Sequence, residues 1–184
     1  MSNPVKAILK AAPGEDPGVA SIEFLFNPTQ LAFEGVVETA DNAGTRSEKS
    51  GKPKVSFSNI QAYKITISNI LFDTYENKDG VERNVVKKYI EPFKEAVKFL
   101  EGKERPPIFT FAWGDQIYLN YCFVERVTYK LTMFLPNGTP VRAIVDNLTL
   151  KETDGIPSEN TQLPAAKENR TDTMAARRGG NRRR

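Results

Sequence analysis

Two apolar-rich runs joined by Leu135-Pro136-Asn137-Gly138-Thr139-Pro140 give the clearest pattern in the chain, from Leu131 to Glu152. In the first run Leu131, Met133 and Leu135 alternate with Thr132 and Phe134. In the second, Val141, Ala143 and Val145 alternate with Arg142, Ile144 and Asp146. A period of two across a Pro-Asn-Gly turn predicts an antiparallel hairpin. Pro136 pre-sets φ at the first corner, and Asn137 and Gly138 accept conformations that bulky residues resist. The odd positions of both arms form one buried face. Phe134 and Ile144 fall on the other face. The hairpin is therefore apolar on both sides, and its second face is expected to be covered in part by another subunit.

The same pattern predicts strands over Val5–Ala11 and Val19–Phe26, separated by Pro13-Gly14-Glu15-Asp16-Pro17-Gly18. In the second of these Ile22, Phe24 and Phe26 share one face. Asn27-Pro28 ends the run, because proline cannot donate to a ladder and forces the preceding residue into an extended conformation. A short strand follows over Leu31–Val37. Glu38–Pro53, sixteen mostly polar residues, is predicted to be a long loop, a feature that in a compact domain is functional or disordered. Strand chemistry returns over Lys54–Ser58 and Ala62–Phe72, with Tyr63, Ile65 and Ile67 alternating against Lys64, Thr66 and Ser68. Asn84–Leu100 is predicted to be the helix, since Val86, Tyr89, Ile90, Phe93, Val97 and Leu100 recur at steps of three and four. Pro92 is expected to kink it. Gly102 and Pro106-Pro107 are expected to stop it. Ile108–Trp113 and Gln116–Tyr129 complete the strands. The fold class is mainly β with one helix (α+β).

After Thr153 the character changes: prolines, small residues and polar groups replace large apolar ones. Residues 1–153 are expected to be a β domain and 154–184 a flexible basic tail, unable to bury enough surface to offset its ordering entropy. A body of about 150 residues buries roughly 70% of its unfolded surface, enough for its own core. The last ten residues carry five arginines and no acid, so the formal +3 of the whole chain leaves −2 on Met1–Met174. No apolar run reaches membrane-spanning length. Met1-Ser2-Asn3-Pro4 lacks the character of a secretory signal, so the chain is expected to start in the cytoplasm.

Histidine is absent and there is one cysteine, Cys122. Serine–histidine and cysteine–histidine nucleophiles are thereby excluded, as are a disulfide framework and a cysteine–histidine zinc site. Gly51-Lys52 fails the phosphate-loop signature, which needs glycine where Arg46 stands and serine or threonine where Pro53 stands. Placing Gly80 at the sixth position of a calcium loop puts Tyr75 first and Val86 twelfth, where carboxylates are required. Asp73 and Glu76 read as turn residues, Cys122 as a buried small residue, and Trp113-Gly114 as a packed corner. No catalytic, cofactor-binding or metal site is expected, and the chain is read as a non-enzyme without a small-molecule substrate. The arginine-rich end is attractive to any polyanion through counterion release, although no aromatic residues interleave with it for base stacking.

Taken in order, FLFNPTQLAF (24–33), ILFDTYE (70–76), the helix with Tyr89, RPPIFTFAWG (105–114) and KLTMFLPNGTPVRA (130–143) resemble one family. It is the N-terminal domain of the tube and spike-adaptor proteins of contractile injection systems, which are phage-tail-like particles. The resemblance spans Val5–Glu152. Members of that family typically continue into a peptidoglycan-binding LysM module. Here the residues after Glu152 show no such pattern. The resemblance implies a phage tail-tube-like flattened β-barrel or sandwich, two packed antiparallel sheets with one flanking helix, six copies to a ring.

It also implies a structural role. The leading expectation is a baseplate adaptor that joins the spike hub to the inner tube and initiates tube assembly. The alternatives are a repeating inner-tube subunit and, from another class, a nucleic-acid or anionic-surface binder acting through the arginine tail. The expected partners are further copies of the chain (a ring, hexameric), the inner-tube protein, the spike or hub protein and other baseplate components, assembled in the cytoplasm. Candidate partner-binding residues are Phe134, Ile144 and Arg142 on the hairpin, and Arg46, Lys49 and Lys52 in the long polar segment. Arg177, Arg178, Arg182, Arg183 and Arg184 in the tail complete the set.

Overall fold

A computed structural model describes residues 4–46, 53–78 and 80–156. Its strands are β1 (Ala7–Ala11), β2 (Ile22–Glu23), β3 (Leu31–Glu34), β4 (Val37–Arg46), β5 (Pro53–Ile60), β6 (Lys64–Asp73), β7 (Phe109–Trp113), β8 (Gln116–Phe134) and β9 (Pro140–Glu152). One helical segment lies between β6 and β7, a π-turn at Val86–Ile90 running into an α-turn, α1, at Glu91–Ala96. Seven strands form one sheet in the order β2-β1-β7-β8-β9-β6-β3, and β4 and β5 pair with each other. Every pairing is antiparallel. The chain is mainly β with one helix, as its alternation predicts.

The two packed sheets expected from the resemblance are instead one sheet curled into a half-barrel, plus a separate β4–β5 ladder. The curl has a physical cause. β2 and β3 lie at opposite borders of the sheet, yet residues 24–30 connect them. Asn27 is still bonded beside β1, and the steps from it to Leu31 reach about 14 Å, less than the roughly 24 Å from β1 to β3 across a flat sheet. The borders must therefore approach. Phe33 of β3 accordingly sits 6.0 Å from the ring of Tyr118 at the start of β8, although β9 and β6 intervene in the sheet order.

The core fills the concave face. An unbroken series of ring contacts runs from the exposed Phe33 and Tyr118 into it: Phe33–Tyr118 (6.0 Å), Tyr118–Phe111 (5.7 Å), Phe111–Phe24 (6.3 Å), Phe24–Phe93 (6.2 Å), Phe93–Phe72 (5.8 Å) and Phe72–Tyr89 (5.1 Å). The helical segment thus packs on the sheet through Tyr89 and Phe93. Asn84 Oδ1 accepts from the N–H groups of Val86 and Lys87 and satisfies donors that a helix start leaves without partners. Pro92 occupies the first turn of α1, where its missing N–H costs nothing. The helix stops at Ala96, short of the predicted Leu100. Val97 is exposed, and the Leu100 N–H bonds back to Arg105 C=O in a closing turn.

The predicted hairpin is present. Gly138 N–H donates to Leu135 C=O, and Leu135 N–H to Thr139 C=O, with Gly138 at φ 82°. Val141, Ala143 and Val145 are buried and Leu131, Met133 and Leu135 half-buried. The inward phase then switches. β9 buries Val141, Ala143 and Val145 and then Leu148 and Leu150; β6 buries Ile65 and Ile67 and then Ile70 and Phe72. Both breaks fall at one level, where Asn69 takes φ 57° between the pairs Ser68↔Asn147 and Ile70↔Val145. The β6–β9 register is unchanged across this level, whereas the β8–β9 register shifts there, between Thr128 and Tyr129, an irregularity that bends a strand and keeps apolar residues inside a curling sheet.

Two further expectations are corrected. Glu38–Pro53 is not a loop: Val37–Arg46 and Pro53–Ile60 form the β4–β5 ladder. Its base is held by polar groups, with Ser58 Oγ donating to Glu38 C=O and Gln61 Nε2 to Glu38 Oε1. Phe26 does not share the buried face of Ile22 and Phe24, and is 49% exposed. β2 ends at Glu23, and Asn27 redirects the chain along β1.

The β1–β2 loop is locked by Glu15, whose side chain has no exposed surface. Arg105 grips it with two bonds, at 2.6 and 3.0 Å, and Ile108 N–H donates at 2.8 Å. Burial alone would raise its pKa. The Arg105 hydrogen bond, the N–H groups of Asp16 and Ile108 and the Arg105 charge outweigh burial and hold it at about 2.

Candidate assembly surface

β7 covers only the first part of β8. Its register runs from Trp113↔Gln116 to Phe109↔Cys122, whereas β9 pairs along β8 from Cys122 to Phe134. From Phe123 to Phe134 no described residue hydrogen-bonds the side of β8 that faces away from β9. Thr128, Tyr129, Lys130, Thr132 and Phe134 are exposed along this stretch. It is an open strand border, with a row of donors and acceptors available to another chain.

At the far border β3 pairs with β6 over Leu31↔Ile67 to Glu34↔Lys64, and its other side has no strand among the described residues. An apolar patch adjoins it. Phe33 is 49% exposed and touches Tyr63 at 6.2 Å and Tyr118 at 6.0 Å. At the base of the β4–β5 ladder Val37 is paired with Ile60, which is 83% exposed. Gly35 belongs here because a Cβ at its position would lie 2.9 Å from the Tyr63 ring. Contiguous exposed apolar groups of this kind mark interaction sites.

The β1 flank is closed by contrast. Asn27 Oδ1 accepts from Ala7 N–H at 3.0 Å, and Asn27 Nδ2 donates to Val5 C=O at 2.8 Å, continuing β1's pairing after β2 ends. Trp113 Nε1 also donates to Val5 C=O.

The outer face of β6, β9 and β8 is polar. Glu125 bonds Lys64 at 3.0 Å and Lys151 at 3.7 Å, Lys130 bonds Asp146 at 2.8 Å, and Arg142 bonds Asp73 at 2.6 Å. The Lys64 hydrogen bond lowers the pKa of Glu125 below the usual range. Burial at Asp73 opposes ionisation, but the Tyr75 N–H and Arg142 prevail and lower its pKa. This corrects the expectation of a hairpin apolar on both sides. Ile144 is half-buried opposite Leu71, flanked by these ion pairs, and does not form an apolar face with Phe134.

Of the candidate residues, Phe134 is 53% exposed at the tip of the open border, and Arg142 is committed to Asp73. The backbone of Arg46 pairs with Pro53 at the end of β4. Lys49, Lys52, Arg177, Arg178, Arg182, Arg183 and Arg184 lie outside the described residues. The open border itself escaped the sequence reading. Glu125–Thr132 alternates like any half-buried strand, with Val127 and Leu131 packed against the core, and nothing in that alternation marks a missing neighbour.

These features define a β-sheet subunit in which one side of β8 and one side of β3 lack a strand neighbour among the described residues. The chain belongs to the contractile injection system tube protein family, whose model matches residues 6–159. Comparison with curated proteins finds no match. Membership makes the chain a structural component of a phage-tail-like particle, assembling with itself and with other tube components. Among the described residues no helix is long and apolar enough to cross a membrane.

Proposed function

We propose that the chain forms a homohexameric ring that serves as the adaptor between the spike hub and the inner tube. In this ring the open side of β8 in one copy pairs with β3 of the next. The open border at Phe123–Phe134 carries this reading. Strand parity supports it. β8, β9, β6 and β3 form a run of four antiparallel strands, so β3 runs opposite to β8. A cyclic operation preserves strand direction, so β8 of the next copy meets β3 antiparallel, the stronger ladder. An odd number of strands would have forced a parallel seam. The exposed Phe33, Val37 and Ile60 beside β3 then supply apolar contact across the same joint.

The adaptor reading, rather than a repeated layer, draws on the arginine-rich end, since five extra cations per copy in every ring would repel one another along a tube. The repeating-subunit reading is favoured by the family's description as a tube protein. Native mass measurement of the purified chain tests the ring: a stable monomer at high concentration, with no affinity for tube or hub protein, overturns it. Copy number in intact particles decides the layer, with one ring expected for an adaptor and many for a tube subunit.

A further inference from the structure

A groove of about 520 Å³ runs beside the helical segment, between the β1–β2 loop and residues 96–101. Val19, Pro92, Ala96, Phe99 and Leu100 line it, and Phe99 is 68% exposed. The charged groups along it are Lys87, Glu91, Glu101 and the Glu95–Lys98 pair, and of the acids Glu91 and Glu101 have no ion-pair partner among the described residues. No residue of β3, β6, β8 or β9 lines the groove, so it is separate from the strand borders. Its size suits a short peptide stretch.

The described chain ends beside it. Ile156 Cδ1 lies 3.7 Å from where a Cβ on Gly14 would stand, in the loop whose Gly18, Val19 and Ala20 line the groove. The next loop residue, Glu15, receives the N–H of Ile108, whose neighbour Pro107 belongs to the opposite wall. Residues 157–184 follow, and their first apolar stretch is Leu163-Pro164-Ala165-Ala166, with Lys167 and Arg170 just beyond. The seven residues from Pro157 to Leu163 reach about 25 Å, ample to return to a groove that begins on the same loop.

We propose that Leu163–Ala166 of the same chain occupies this groove. Leu163 covers Phe99, and Lys167 and Arg170 supply the positive charge that Glu91 and Glu101 lack. Pro164 restricts the free segment and lowers the entropy lost on docking.

Disulfide capture in the full chain tests this. Cys122 is buried, and burial pushes its thiol up to about 12, so it stays silent. Phe99→Cys with Leu163→Cys is expected to close an intramolecular disulfide in dilute solution. The rate should exceed that of the control pair Thr132→Cys and Leu163→Cys about tenfold or more, reflecting a docked rather than a freely searching segment. Equal rates overturn the proposal. A disulfide joining two chains also overturns it and assigns the groove to a neighbouring copy. Because Phe99→Cys removes part of the wall, Leu163→Asp is read separately by hydrogen exchange. Faster exchange of amides 96–101, with β6 and β9 unchanged, is expected; no change at 96–101 overturns the proposal.

Discussion

Glu15 shows how a charged side chain can be buried without loss: three donors from residues 105–108 and the N–H of Asp16 converge on one carboxylate. With a folded pKa of about 2 against an ordinary 4.5, its contribution is complete above pH 4.5 and is lost as the pH falls towards 2. That corresponds to on the order of 3 kcal/mol at neutral pH. Glu15→Gln is expected to lower urea stability at pH 7 by about 2–4 kcal/mol and to flatten the acid limb of the stability profile below pH 4.5. Phe24 anchors the core differently, bridging Phe93 on α1 and Phe111 on β7. Phe24→Ala should cost about 3–5 kcal/mol by thermal or urea unfolding. Its role was legible in the alternation of Ile22 and Phe24. That of Phe26 was not, because the side-chain amide of Asn27, four residues beyond β2, decides where the chain turns.

At the scale of elements, the β8–β9 hairpin was readable because its turn residues and its alternation agree. The β4–β5 ladder was not, since Glu38–Pro53 is mostly polar and carries no apolar alternation. The helix end was misplaced for a tertiary reason: Val97 continues the apolar stripe, yet the chain closes a turn through Leu100 and Arg105 instead. The phase switch in β6 and β9 did leave a trace, as apolar positions pass from 65 and 67 to 70 and 72. The cross-strand ion pairs are partly exposed, so Glu125→Ala should change stability by less than about 1 kcal/mol in urea titration. Proline scanning tests the open border. Of Thr128→Pro and Tyr129→Pro, the one whose N–H points away from β9 is expected to fold and stay monomeric in sedimentation. If that folded variant still forms rings, pairing through β8 is wrong.

For the whole molecule, the sequence pointed to a face of the hairpin as the surface needing neighbours, whereas the proposed joint lies along a strand border. Alternation reports which side of a strand meets the core. It is blind to which side of a strand lacks a partner, because that depends on where β7 stops. The asymmetry between the two flanks of the half-barrel then acquires a meaning through Asn27. Its amide occupies the positions that an incoming backbone would take on β1. Asn27→Ala is expected to cost about 1–2 kcal/mol and to make light scattering rise with time, as copies add where they should not. The proposed closed circle requires each building block to grip in one sense alone, and on that reading a single carboxamide is the stopper that keeps a sticky ribbon from branching into fibres.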